Sequence, residues 1–233
     1  MTIVRTAFLS GCAWLLTMAA PAQAALIYNF QLNGDFNNAA GSGAAIGSGG
    51  PLSATGYAFE ANRGLSIALA QALPVYTIET SFRFDGDSYG LNKVVDFKNR
   101  TDDNGIYFAN EVLNHFPVGI GGPSIASGEM ATIAVSRNAQ GVVTHFVNGV
   151  EAFRIQDDGS AIFDKGFINL FMDDTVYVDQ PRPGFVDYVK VYDTAYFPSA
   201  VPEPAAWAMM IIGFGAVGST IRTSRHRRAF SAA

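Results

Sequence analysis

From Ala25 to Pro198 the chain never sustains a helical hydrophobic period. It runs through short stretches of β-branched and aromatic residues, cut at intervals by Gly, Asn, Asp and Ser. Thr77–Phe84 sets the pattern: Ile78, Thr80, Phe82 and Phe84 fall on one face, and Thr77, Glu79, Ser81 and Arg83 on the other. A period of two is that of a half-buried antiparallel strand. Similar runs predict strands at Leu26–Leu32, Tyr57–Glu60, Leu65–Leu69, Lys93–Phe97, Gly105–Ala109, Ala131–Arg137, Val142–Val147, Glu151–Ile155, Phe167–Met172 and Phe185–Tyr192. Asn148-Gly149 is a two-residue hairpin signal, because both residues tolerate positive φ. Asn138–Gly141 predicts a second hairpin. Ala39–Gly50 is Gly/Ala/Ser-rich and predicts a mobile loop. Strands at this spacing over about 175 residues fit one all-β, two-sheet antiparallel sandwich.

The two ends follow different rules. Residues 1–24 have the layout of a secretory signal: Arg5, an apolar run from Ala7 to Ala20, then Ala22-Gln23-Ala24 as an A-x-A cleavage site. Cleavage after Ala24 starts the mature chain at Ala25. Leu9-Ser10-Gly11-Cys12 resembles a lipoprotein box, but too little apolar sequence precedes it. Ala205–Ile221 carries no charge and predicts a transmembrane helix at the short end of what spans a bilayer. Arg222, Arg225, Arg227 and Arg228 follow, and such a cluster stays cytoplasmic.

The order Pro202-Glu203-Pro204, then Trp207-Ala208-Met209-Met210 and Gly213-Phe214-Gly215, then arginines, resembles the PEP-CTERM sorting signal of Gram-negative bacteria. The resemblance implies recognition by an exosortase, a membrane-embedded transpeptidase-like cysteine protease, and a link with exopolysaccharide. Two prolines hold Glu203 in extended backbone, the form a protease needs. The expected path is export by the Sec machinery, inner-membrane anchoring with the body facing the periplasm, then release to the cell surface or medium. The domain plan is therefore a signal peptide at 1–24, a sandwich at 25–198 and a sorting segment at 199–233.

Removing Arg5 and the four tail arginines from the 15 basic residues, and Glu203 from the 20 acids, leaves the body near −9. That charge argues against nucleic acid as a partner. Cys12 and both tryptophans lie in the end segments, so the body forms no disulfide. The body itself resembles the concanavalin A-like lectin/glucanase (laminin G-like) jelly roll. The resemblance rests on Tyr76–Phe84, Val94-Val95-Asp96-Phe97, Ala131–Arg137, Phe146-Val147-Asn148-Gly149 and Phe185–Asp193, taken in order. It implies a fold that hosts lectins, hydrolases and spacers alike.

Catalytic chemistry is sparse. Laminarinase-type relatives of that family place Glu-x-Asp-x-x-Glu on one strand, and alternate residues then aim into one cleft. No such run exists here, and Glu79, Glu111, Glu129 and Glu151 each lack an acidic neighbour two residues away. With no body cysteine, no G-x-S-x-G elbow and no zinc spacing, nucleophilic and zinc chemistry have no motif. His145 alternates with Val143 and Val147 and reads as a strand histidine of structural or solvent role.

Calcium is the best site hypothesis. Period two puts Asp187 on one face with Phe185, Val189 and Val191, where a carboxylate needs a partner or a metal. The resemblance implies that Asp187 holds a structural calcium together with the segment around Asn29. It also implies a ligand-binding calcium at rim acids, with Asp173 and Asp174 preferred over Asp102-Asp103 and Asp157-Asp158. Without tryptophan, sugar stacking would fall to Tyr89, Tyr107 or Tyr177. The reading is an exported non-catalytic binding or structural module for polysaccharide, set against a glycan-active hydrolase with an unrecognised site.

Overall fold

A computed structural model describes residues 24–86, 90–176 and 182–196. Fifteen strands form two antiparallel sheets, and no helix occurs among the described residues. Four short strands escape the sequence pattern: β2 (Ile46–Gly47), β3 (Leu52–Ser53), β9 (Val112–Phe116) and β10 (Gly119–Gly121). The first sheet runs β13 (Val150–Gln156), β12 (Val142–Val147), β11 (Ala131–Arg137), β6 (Tyr76–Phe84), β15 (Gly184–Tyr192), β4 (Gly56–Phe59), β3. β1 (Leu26–Phe30) joins β15 beyond the stretch that β4 uses. The second sheet runs β10, β9, β8 (Gly105–Ala109), β7 (Leu91–Asp96), β14 (Gly166–Leu170), β5 (Leu65–Leu69), β2. The predicted all-β two-sheet class is what forms. The signal and transmembrane helices fall outside the described residues.

The core lies between the sheets and is unusually aromatic. Phe59 stacks on Phe171 at 4.5 Å, and Phe82 packs on Phe171 at 5.0 Å and Phe108 at 5.7 Å. Tyr76, Phe97 and Phe163 fill the other end. Each such ring contributes on the order of 1.5–3 kcal/mol through removal from water. Both predicted hairpins form: Asn148 and Gly149 have φ of 50° and 79°, and the Asn138 carboxamide accepts from the Gln140 and Val142 amides.

The Ala39–Gly50 segment corrects a sequence expectation, because it is pinned rather than loose. Ala44 bridges Asn37, Ile46–Gly47 pairs with β5, and the Ser48 amide donates to Gly64. Its glycines serve close approach. A Cβ on Gly47 would come within 2.6 Å of the Phe36 ring, and one on Gly50 would land on the Ala58 carbonyl oxygen.

Chain ends and rims are placed by β6 and β15. The Tyr196 amide donates to Thr77 Oγ1 at 2.8 Å, and Ala25 and Asp193 bond each other, so both described ends lie at the Thr77 end of β6. Phe84 marks the opposite end.

Candidate functional site

The outward face of the second sheet carries a buried charge cluster. Ile106 and Phe108 point into the core, so Tyr107 between them points out, and Lys93 pairs with it across β7–β8. A bulge between Lys93 and Val95 lets Val94 and Val95 both join the core, while Lys93 and Asp96 face outward. Asp96 pairs with Asn169, and Asn169 with Ser66, whose hydroxyl donates to its carboxamide at 2.7 Å. Gly105 leaves the room this arrangement needs: a Cβ there would stand 3.2 Å from Lys93 Cε and 2.6 Å from the Val95 carbonyl.

The chain after β14 closes over this face. Lys93 Nζ lies 3.3 Å from Asp173 Oδ1, 3.3 Å from Asp174 Oδ2 and 3.8 Å from Asp96 Oδ1, with the Tyr107 ring centroid at 5.0 Å. Lys93, Asp96 and Asp174 are fully buried and Asp173 is 1% exposed. The Tyr107 hydroxyl donates to Asp103 Oδ1 at 2.6 Å. The Arg100 amide donates to Asp96 Oδ2 at 2.8 Å, and its guanidinium donates to the Asp173 carbonyl. Asp96 Oδ1 has no hydrogen bond and faces Lys93.

Burial pushes the Asp96 and Asp173 carboxyls above the usual carboxylate range, and the Lys93 ammonium draws both part of the way back. Burial, with the hydrogen bond to Asp103, raises the Tyr107 phenol far above its ordinary value. Asp103, Asp173 and Asp174 offer oxygens within 4.8 Å of one another, a donor set of the kind calcium uses. The Lys93 ammonium already stands against two of the three. As arranged, Asp173 and Asp174 hold the Lys93 ammonium.

A second buried polar feature joins the two sheets. His115 of β9 and His145 of β12 share a 2.9 Å Nδ1···Nε2 hydrogen bond, and His145 stacks on Phe153 at 4.2 Å. His145 Nδ1 has no hydrogen-bond partner. Burial lowers His115 to about 4, and burial with the neighbouring ring lowers His145 to about 3. The structural reading of His145 agrees with this placement, but its partner on the other sheet was not legible.

Of the predicted calcium residues, Asp173 and Asp174 come together, while Asp187 and Asn29 lie on the first sheet. Asp173 and Asp174 enter the Lys93 cluster with Asp103. Asp187 sits at a bulge in β15 between Val186 and Tyr188. The bulge breaks the period of two, so the core residues are Val186, Val189 and Val191, while Phe185 and Asp187 are partly exposed. That corrects the expectation of Asp187 on an apolar face, and with it the desolvation cost that called for a metal. Asn29 pairs with Lys190 and accepts from the Gln31 carboxamide. Of the tyrosines, Tyr107 is buried in the cluster, and Tyr89 and Tyr177 lie outside the described residues. So do Ala22 of the cleavage site and Pro202, Glu203, Pro204 and Trp207; Ala24 is the first described residue. Among the described residues no helix is long and apolar enough to cross a membrane.

Sequence pattern did not single out Lys93. The available signal was a lysine within Leu91–Asp96, directly before Val94-Val95 and three residues ahead of Asp96.

Fold and motif together define the class of protein: an antiparallel two-sheet sandwich joined to an export-and-sorting tail. Residues 200–228 match the PEP-CTERM protein-sorting motif, so the chain is an exported exosortase substrate, anchored at the membrane before processing. No curated protein sequence matches the chain. The sandwich is similar to domain 4 of AbnA, a GH43 extracellular arabinanase from Geobacillus stearothermophilus solved with arabinotriose. That match has 18% identity and TM-score 0.56, and covers 76% of this chain and 96% of that one. It is also similar to Trypanosoma rangeli sialidase, at 10% identity and TM-score 0.58, over 74% of this chain but 31% of the sialidase. A third similar structure is botulinum neurotoxin type C, described with two ganglioside molecules, at 11% identity and TM-score 0.52, over 74% of this chain and 48% of that one. At these identities the likeness concerns the fold.

Proposed function

We propose that the sandwich is a non-catalytic binding module for extracellular polysaccharide, carried to the cell surface or matrix by its sorting tail. The observation that carries this reading is the state of the clustered carboxylates. Glycoside hydrolysis needs one carboxyl kept protonated by its surroundings and a second free to face the sugar ring. Asp96 and Asp173 have the raised pKa of such an acid, but both are sealed beneath the chain and directed onto Lys93. Acids held that way brace the outer face of a sheet; they do not meet a substrate.

The neighbours support the glycan-binding part of this reading at the level of fold alone, since this architecture occurs within proteins described with arabinotriose, sialic acid and gangliosides. The tail sets the setting: the body faces the periplasm while anchored, and the exosortase acts at Pro202-Glu203-Pro204. The test is a glycan array probed with the exported protein, with and without chelator. Retention on a defined set of polysaccharides is the expected result. An empty array with folded protein would refute the binding role.

A further inference from the structure

We propose that Lys93 and Asp173 condense into an intramolecular isopeptide bond, which ties β7 covalently to the chain after β14. The lysine is placed as a nucleophile rather than as a surface cation. It is fully buried, its Nζ stands 3.3 Å from Asp173 Oδ1, and the Tyr107 ring covers it at 5.0 Å. Holding two reactive groups at that range converts a slow bimolecular step into an effectively unimolecular one.

The acceptor carboxyl is held still. The Asp173 amide donates to the Asn62 carboxamide at 2.7 Å, the Arg100 guanidinium donates to the Asp173 carbonyl, and the Asp174 amide donates to Asp173 Oδ1 at 3.0 Å. The last contact polarises the carboxyl and stabilises negative charge on Oδ1 as nitrogen adds to Cγ. Oδ1 therefore stays as the amide oxygen, and Oδ2 departs. The two partners also sit on neighbouring strands. Asn169 pairs with Asp96 and Leu170 with Val95, and the Phe171 amide donates to the Val94 carbonyl.

The cluster supplies a proton carrier. Asp96 is fully buried, and its Oδ1 has no hydrogen bond and faces Lys93 Nζ at 3.8 Å. It takes one ammonium proton, which frees the nitrogen lone pair to attack Asp173 Cγ. It then returns that proton to the departing oxygen. The step balances within the cluster. A C–N bond forms and the Cγ–Oδ2 bond breaks. Two of the three ammonium protons leave with Oδ2 as water, and the third remains on the amide nitrogen. No oxidant or activated co-reactant takes part.

Burial sets the direction. An ammonium and a carboxylate held out of water carry a desolvation penalty that a neutral amide largely avoids. Lys93, Asp96 and Asp174 are fully buried and Asp173 is 1% exposed, so the water needed for the reverse reaction is kept out. With Cys12 in the signal segment, the body has no cysteine. An amide gives this exported domain a covalent brace that a disulfide cannot.

The experiment is peptide mapping by mass spectrometry of the exported full chain, denatured and digested with trypsin. The expected result is no cleavage after Lys93, and a peptide spanning Phe84 to Lys98 joined to the peptide that begins at Gly166. Its mass should be one water below the sum of the two, with fragments that place the link on Asp173. Recovery of the two peptides separately, with cleavage after Lys93, would overturn the bond. A link to Asp96 or Asp174 would overturn the choice of acceptor. Lys93→Arg keeps a cation but has no amine, and should give separate peptides only. Asp96→Asn, followed from synthesis, should form the link roughly a hundredfold more slowly. Linkage in that variant at the wild-type rate would overturn the proton carrier.

Discussion

Acidification should unlatch the sandwich through its two buried histidines. His115 and His145 sit at about 4 and about 3 in the folded protein, against about 6.5 in an unfolded chain. The unfolded state therefore takes up protons that the folded state refuses. Stability is undiminished above pH 6.5, falls as pH drops below it, and stops falling from this source once pH passes the folded values. At pH 5.0 each histidine costs about 2 kcal/mol, from 1.5 units at about 1.36 kcal/mol per unit, and the pair about 4 kcal/mol. Protonation also places two cations across one 2.9 Å contact between the sheets. Asp157 and Asp158 lie near enough to His115 to oppose its shift, and Asp157 is itself engaged by Arg137. Asp96 and Asp173 act in the reverse sense, since protons relieve them. The clean measurement is thus a difference: urea unfolding at pH 7.0 and 5.0 for the wild type and for His115→Phe/His145→Leu. The wild type should lose about 4 kcal/mol more than the double variant between the two conditions. Equal losses would refute the assignment of the acid-labile step to this pair.

Lys93→Met should cost about 3–5 kcal/mol, because it leaves Asp96, Asp173 and Asp174 buried without their shared cation; millimolar calcium should then raise the melting temperature of the variant and leave the wild type unmoved. Gly50→Ala should cost about 1–3 kcal/mol, since φ is +111° and the new methyl meets the Ala58 carbonyl, and a neutral result by thermal unfolding would restore the loose-loop reading. Replacing Pro202-Glu203-Pro204 by alanines should leave an unprocessed membrane species with an unchanged body melting temperature, and immunoblots showing normal processing would contradict it.

Strand location was legible because it is local. Thr77–Phe84 carries its own period, and Asn148-Gly149 its own turn chemistry. The short strands β2, β3, β9 and β10 were missed because their pairing comes from tertiary placement. Glycines at 47 and 50 have the composition of a linker, yet serve contacts with Phe36 and Ala58 that only the fold creates. The site was harder still. Bulges at Lys93/Val95 and Val186/Tyr188 each shift the strand's phase, so Lys93 became a hidden outward residue and Asp187 lost its apolar face. Nothing in a period-two reading announces an extra residue. The His115–His145 bond joins strands 30 positions apart in different sheets, and no sequence spacing encodes that.

The most direct test of the central claim is to incubate the exported protein with the polysaccharides it retains and measure reducing ends released alongside protein bound. A non-catalytic module gives saturable retention with no release above a heat-denatured control. Release that grows with time and protein concentration would show that the sandwich is a hydrolase.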